Sequence, residues 1–68
     1  MTVVKVVELV GESKSGWEDA VKNAVADAAK TIDNITGVEI NNLTANVADG
    51  SIVEYKANVK IAFGVKGR

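Results

Sequence analysis

Between Trp17 and Ile35 the apolar residues fall at Trp17, Ala20, Val21, Ala24, Val25, Ala28, Ile32 and Ile35. This is the i, i+3, i+4, i+7 spacing that lines one face of an α-helix. The rest of the chain lacks such a period, so it has to form the surface against which this stripe is buried. The spacing predicts one long amphipathic helix over 17–35. Glu18 and Asp19 sit in its first turn, where carboxylates meet the positive end of the helix dipole, and Lys30 lies near the other end. Ser13 or Ser15 can cap the N-terminus. Asp33-Asn34 resembles a helix-ending pair, after which Gly37 offers either a positive φ or a tight lead into a strand.

The flanking segments read as strands. Thr2 to Val10 is rich in Val, a β-branched residue suited to a pleated surface, and Gly11 is read as its end. Val38 to Val47 is a second strand, made unusually polar by Asn41, Asn42, Thr44 and Asn46. Asp49-Gly50, between Ala48 and Ser51, is a hairpin turn signal. Ile52 to Val65 then alternates cleanly: Val53, Tyr55, Ala57, Val59, Ile61, Phe63 and Val65 face one way, and Glu54, Lys56, Asn58 and Lys60 the other. The fold class is therefore α+β, in the order β-α-β-β, with a three-stranded antiparallel sheet of order 1-3-2 packed on one helix. The third strand is central, as its length and alternation suit it to be, and a right-handed crossover lays the helix on its apolar row. The opposite face is left for water, a ligand or another subunit.

Size sets the next constraint. The 68 residues, read as a single domain over 1–68, are 47% hydrophobic, but mostly through Val and Ala, with one Trp, one Tyr and one Phe. A domain this small seldom draws more than about 3–5 kcal/mol from its core, and natural ones add a disulfide, a metal or a partner chain. With no Cys and no His, neither a disulfide nor a zinc site of the usual kind is open to it. Self-association is the remaining staple, and a homo-oligomer is expected. Trp17, which opens the apolar stripe, is read as a core or interface anchor in preference to a ligand-stacking ring, and Tyr55 and Phe63, on the apolar face of the third strand, as core.

The net charge of −1 and the scatter of basic residues, apart from the Lys66-Gly67-Arg68 tail, give no sign of nucleic-acid binding. No apolar run reaches the roughly 18 residues of a membrane span, and the N-terminus lacks a signal-peptide layout, so a cytoplasmic location is expected. On that expectation the glycosylation patterns at Asn34-Ile35-Thr36 and Asn42-Leu43-Thr44 are coincidental. No enzyme is expected either. The chain has no nucleophile with a histidine to activate it and no phosphate-binding glycine loop, and Glu18 with Asp19 is explained by the helix dipole. Asp49-Gly50-Ser51 carries too few oxygens for calcium from one chain, although symmetry could gather several copies.

The segment Lys5 to Gly11 (Lys-Val-Val-Glu-Leu-Val-Gly) with Ser13, then Trp17-Glu18-Asp19-Ala20, Thr31-Ile32-Asp33-Asn34-Ile35 and the run from Val53 to Phe63, resembles the dodecin family along nearly the whole chain. The resemblance implies a homododecamer enclosing a small hollow sphere, and a non-catalytic role in binding, storing or sequestering riboflavin or FMN at two-fold contacts. It places the flavin-facing positions at Gly37, Val38, Asn42 and Lys56. Two of these depart from the family's pattern. Where flavin-binding members carry a Trp stacked on the isoalloxazine ring, this chain has Gly37. Where they carry a Gln that reads the ring's polar edge, it has Lys56. A Trp buries roughly 150–250 Å², on the order of 4–6 kcal/mol at most, and half of that is about two decades of affinity. Lys56 can donate a hydrogen bond but not accept one, though it could attract the phosphate of FMN. Trp17 lies at the far end of the helix from Gly37, about 30 Å away at 1.5 Å per residue. The resemblance thus leaves two readings: a flavin site in weakened form, or a flavin-free assembly that serves as a scaffold or binds another ligand such as calcium.

Overall fold

The computed structural model describes residues 3–65. Thr2 and the Lys66-Gly67-Arg68 tail lie outside the described residues. The elements run β1 (Val3–Ser13), α1 (Trp17–Ala28), β2 (Ile35–Ala48) and β3 (Ser51–Val65). β3 is central, antiparallel to both neighbours, in the order β1-β3-β2. The hairpin closes on Asp49 (φ 52) and Gly50 (φ 77) between the paired Ala48 and Ser51. Positive φ at both central residues is the type I′ turn that Asp-Gly favours.

α1 packs on β1 and β3, and its buried residues are Ala20, Ala24 and Ala28. These meet Ala57, Val59 and Ile61 of β3, with Val7, Leu9, Val21, Val25, Ile32 and Ile35 packed around them. Three small side chains in a row let the helix backbone approach the sheet closely. At Gly11 the approach is tightest: a Cβ there would fall on the carbonyl oxygen of Ala20 and come within 2.9 Å of the Ala24 methyl. Gly11 therefore does not end β1, as its position had suggested. The strand passes through it to Ser13, because the absent side chain is what admits the helix.

The helix is shorter than its apolar stripe. It stops at Ala28, and Lys30 and Thr31 donate to Asp27 and Ala28 in a tightened turn (3.1 and 3.2 Å). Thr31, Ile32, Asp33 and Asn34 are all poor helix residues, and Asn34 takes φ 65, the positive value anticipated at Gly37. Ile32 and Ile35 still pack on the core, but from the connection and from β2. A period of 3.6 and a turn that returns two isoleucines to the same core look alike in sequence. Helix capping also differs: Gly16 is the N-cap and no side chain caps the helix. The buried Ser13 hydroxyl instead donates to Asp19 (2.8 Å) and accepts from the Ser15 amide (2.9 Å).

The sheet outruns its helix. The principal extents are 54 × 20 × 13 Å and the radius of gyration is 14.0 Å, against about 11 Å for a compact chain of this length. The accessible surface is 4783 Å², against roughly 4,100 Å² for a compact monomer of this mass. Among the described residues, six apolar ones form the buried core, and four of them are alanine, while ten large apolar side chains on β1, β2 and β3 stay exposed. Among the described residues, no helix is long and apolar enough to cross a membrane.

Candidate binding face

The face of the sheet that α1 leaves open is built in rows across β1, β3 and β2. From one end these are Glu12, Lys56 and Thr44; Val10, Asn58 and Asn42; Glu8, Lys60 and Glu39; Val6, Ala62 and Gly37. Two irregularities in β2 set this alignment. The register shifts between Ile35 and Gly37 and again between Ile40 and Asn42. Each inserts one residue, Thr36 and Asn41, and a bulge of this kind moves the following residues to the other phase of the pleat. Without the second bulge Asn42 would stand on the helix side. With it, Asn42 lies beside Asn58, whose Nδ2 donates to the Asn42 Oδ1 at 2.7 Å.

Gly37, Asn42 and Lys56 thus share the open face, whereas Val38 is paired with Ile61 on the helix side and meets that face only through its backbone. The three are not neighbours within one chain. Gly37 stands opposite Ala62, about 20 Å along β3 from Lys56 at roughly 3.3 Å per residue. Asn42 and Asn58 fall between them. At the Gly37 end the floor is small and apolar, and a Cβ built on Gly37 meets nothing within 4 Å. At the other end Lys56 Nζ lies 3.8 Å from Glu12 Oε2, with about a third of its side chain exposed (32%). Between the two ends lies a concavity of about 390 Å³ bordered by Glu8, Val10, Asn41, Asn42 and Asn58, within the range of small-molecule sites.

A planar heterocycle asks three things of such a face: an apolar floor, groups to meet its polar edge and a lid. Val6, Val10, Ala62 and Gly37 supply the first. The asparagine pair and Lys56 supply polar groups. A lid would have to come from another copy. No aromatic ring of this chain stands within 4 Å of a Cβ built on Gly37. Trp17 does not fill that place. Its Nε1 donates to the Thr44 carbonyl (2.8 Å) and its ring packs edge-on against Tyr55, with centroids 4.9 Å apart. Thr44 is itself about 23 Å along β2 from Gly37 at roughly 3.3 Å per residue. Among the described residues, no group of three or more Asp or Glu side chains within one chain could hold a metal ion, and Asp49-Gly50 serves as the hairpin turn.

A second apolar surface lies where the edge of α1 stops short of β2. Trp17, Val21, Ile40 and Leu43 line a groove of about 340 Å³, with Glu18 and Lys22 at its rim. That rim pair, 3.4 Å apart and exposed on both sides, contributes little to stability. The groove, Glu12 and Asn58 were not singled out from the sequence as functional positions. Asn58 could have been noticed as an amide on the polar phase of the central strand, but its partner depends on a bulge.

A profile of the dodecin family matches residues 3–66, and the chain belongs to that family. It is 33% identical over 61 residues to the dodecin of Thermus thermophilus, which covers 90% of this chain and 88% of the relative. It is 26% identical over 66 residues to the calcium dodecin of Mycobacterium tuberculosis, covering 97% and 93%. The fold superimposes on a crystal structure of a Thermus thermophilus protein with a TM-score of 0.95 and 29% identity, each chain covered in full.

Proposed function

We propose that this chain assembles as a homododecameric shell and binds a flavin, riboflavin or FMN, non-covalently on its open sheet faces, as a store or sequestering protein rather than an enzyme. The observation that carries the assembly is the imbalance between six buried apolar residues and ten large exposed ones. A chain with so thin a core gains most by covering the groove between α1 and β2 and the valines of β1 with further copies. Its surface excess of roughly 700 Å² over a compact monomer is close to the 800 Å² or so that each partner contributes to a standard interface.

The ligand site proposed here takes in Gly37, Val38, Asn42 and Lys56, its Gly37 end and its Lys56 end coming from different copies, since the two stand about 20 Å apart in one chain. Space at Gly37 supports close approach of a flat ring to the backbone, and the ammonium of Lys56 supports FMN over riboflavin. The missing ring at Gly37 makes the affinity lower than that of members carrying the aromatic. Titration of riboflavin and FMN with purified protein tests this directly: quenching of flavin fluorescence at micromolar protein is expected, stronger for FMN. Unchanged fluorescence for both would remove the flavin reading.

The calcium dodecin relative supports a second reading, in which the shell is flavin-free and holds calcium between copies. A rise in melting temperature with calcium but not magnesium, in protein that leaves flavin fluorescence unchanged, is the pattern that reading requires.

A further inference from the structure

We infer that Asn58, held by Asn42, is the group that reads the polar edge of the bound flavin, in place of Lys56. The inference rests on the flavin reading above. The pyrimidine edge of an isoalloxazine presents an N3–H donor flanked by two carbonyl acceptors, so its protein partner must accept and donate from neighbouring atoms. An ammonium can only donate, and an ionised carboxylate can only accept. Lys56 therefore meets half of the edge at best, and it already lies beside Glu12 at 3.8 Å. Glu8 and Glu39 would oppose the flanking carbonyls.

A carboxamide does both, and the open face holds one already oriented. Asn58 sits on the central strand and is half-buried, and its amide is fixed by the 2.7 Å bond to Asn42. That bond uses one N–H and one carbonyl lone pair. Three N–H donors and one wholly unspent carbonyl oxygen remain on the pair. They border the concavity of about 390 Å³, with Val10 beside them as an apolar wall for the ring. The pair lies about 7 Å from Lys56 along β3, at roughly 3.3 Å per residue, so a flavin read by Asn58 still leaves Lys56 free to meet a phosphate.

The test compares riboflavin with 3-methylriboflavin, in which the N3–H is capped, by fluorescence titration of the assembled protein. The wild type is expected to favour riboflavin by about fivefold or more, the net worth of one neutral hydrogen bond. Asn58→Leu is expected to lose that preference and Lys56→Ala to keep it, with assembly checked for each by native mass spectrometry. Should Asn58→Leu not assemble, Asn58→Asp retains the shape and the acceptor but loses the donors, and is expected to weaken riboflavin binding by about threefold or more. An unchanged preference in Asn58→Leu, an unchanged affinity in Asn58→Asp, or a preference lost in Lys56→Ala would overturn this inference and leave flavin binding standing. A wild type that quenches neither ligand would overturn the flavin reading and this inference together.

Discussion

On the helix side of β3, Ala57, Val59 and Ile61 are at most 1% exposed, while the alternate residues Lys56, Asn58 and Lys60 on the open side are only partly buried. One strand thus carries two surfaces under different rules. Directly under α1 the covered side packs within the chain, through small residues on α1, a glycine on β1 and branched residues on β3, whereas the groove beside α1 stays open. The open side carries Lys56 beside Glu12, an amide pair and exposed valines, and α1 leaves it uncovered. The contrast teaches that one alternation separates the residues that bury the helix from those left at the surface.

The strongest way to break the contrast is to place one methyl group on each side. Gly11→Ala puts it against the Ala20 carbonyl and the Ala24 methyl, where neither the helix backbone nor the strand has room to yield. A loss of about 3 kcal/mol or more is expected, seen as failure to accumulate folded protein or as a steep fall in thermal midpoint. The same change at Gly37, where nothing lies within 4 Å, should leave the midpoint nearly unmoved. Equal losses at both sites would show that the two faces do not differ as described.

Ile61→Ala removes one of the two largest fully buried side chains. It is expected to cost about 2–4 kcal/mol in denaturant unfolding of the assembled protein, because the alanines around it cannot move in to fill the cavity. Gly37→Trp acts on the other face. It adds a stacking surface at a position where a Cβ meets nothing within 4 Å, and at least a tenfold gain in riboflavin affinity is expected, about 1.4 kcal/mol, read by fluorescence titration. No gain would mean that the face does not seat a flavin. The smallest effect belongs to Glu12→Gln, which releases Lys56 from a partly exposed pair. Stability should change by less than about 0.5 kcal/mol, while FMN binding strengthens relative to riboflavin and the gain fades with added salt.

Much of this fold was legible in the residues, and the reasons are local. Asp49-Gly50 can hold positive φ at both positions, so the hairpin and the adjacency of β2 and β3 follow from two residues. The alternation from Tyr55 to Val65 has one apolar phase, which identifies both the central strand and its covered side, while Val53, read with them, falls at a register shift and is exposed. Elsewhere two structures share one pattern. Ile32 and Ile35 continue a helical period although the helix has ended, because a turn at Asn34 brings them to the same core. Gly11 resembles a strand end although it is a point of contact, since a missing side chain looks the same in either role.

The candidate face was legible only in part. That one side of the sheet lacks a helix followed from the topology, and the unusual residues at Gly37 and Lys56 followed from the family resemblance. Their alignment did not. Asn41, Asn42, Thr44 and Asn46 are polar at both phases of β2, so no hydrophobic pattern reveals where Thr36 and Asn41 are extra. The meeting of Asn42 with Asn58 depends on that hidden shift. The groove at Trp17, Val21, Ile40 and Leu43 was obscured for a related reason, since a helix that ends at Ala28 leaves more of β2 uncovered than one that ends at Ile35.

Native mass spectrometry of the purified protein at micromolar concentration tests the central claim, that further copies of the same chain complete the uncovered surfaces. The expected mass is that of a dodecamer of 7.1-kDa chains, with added flavin retained on the assembly. A single chain of 7.1 kDa, folded and stable at that concentration, would contradict it.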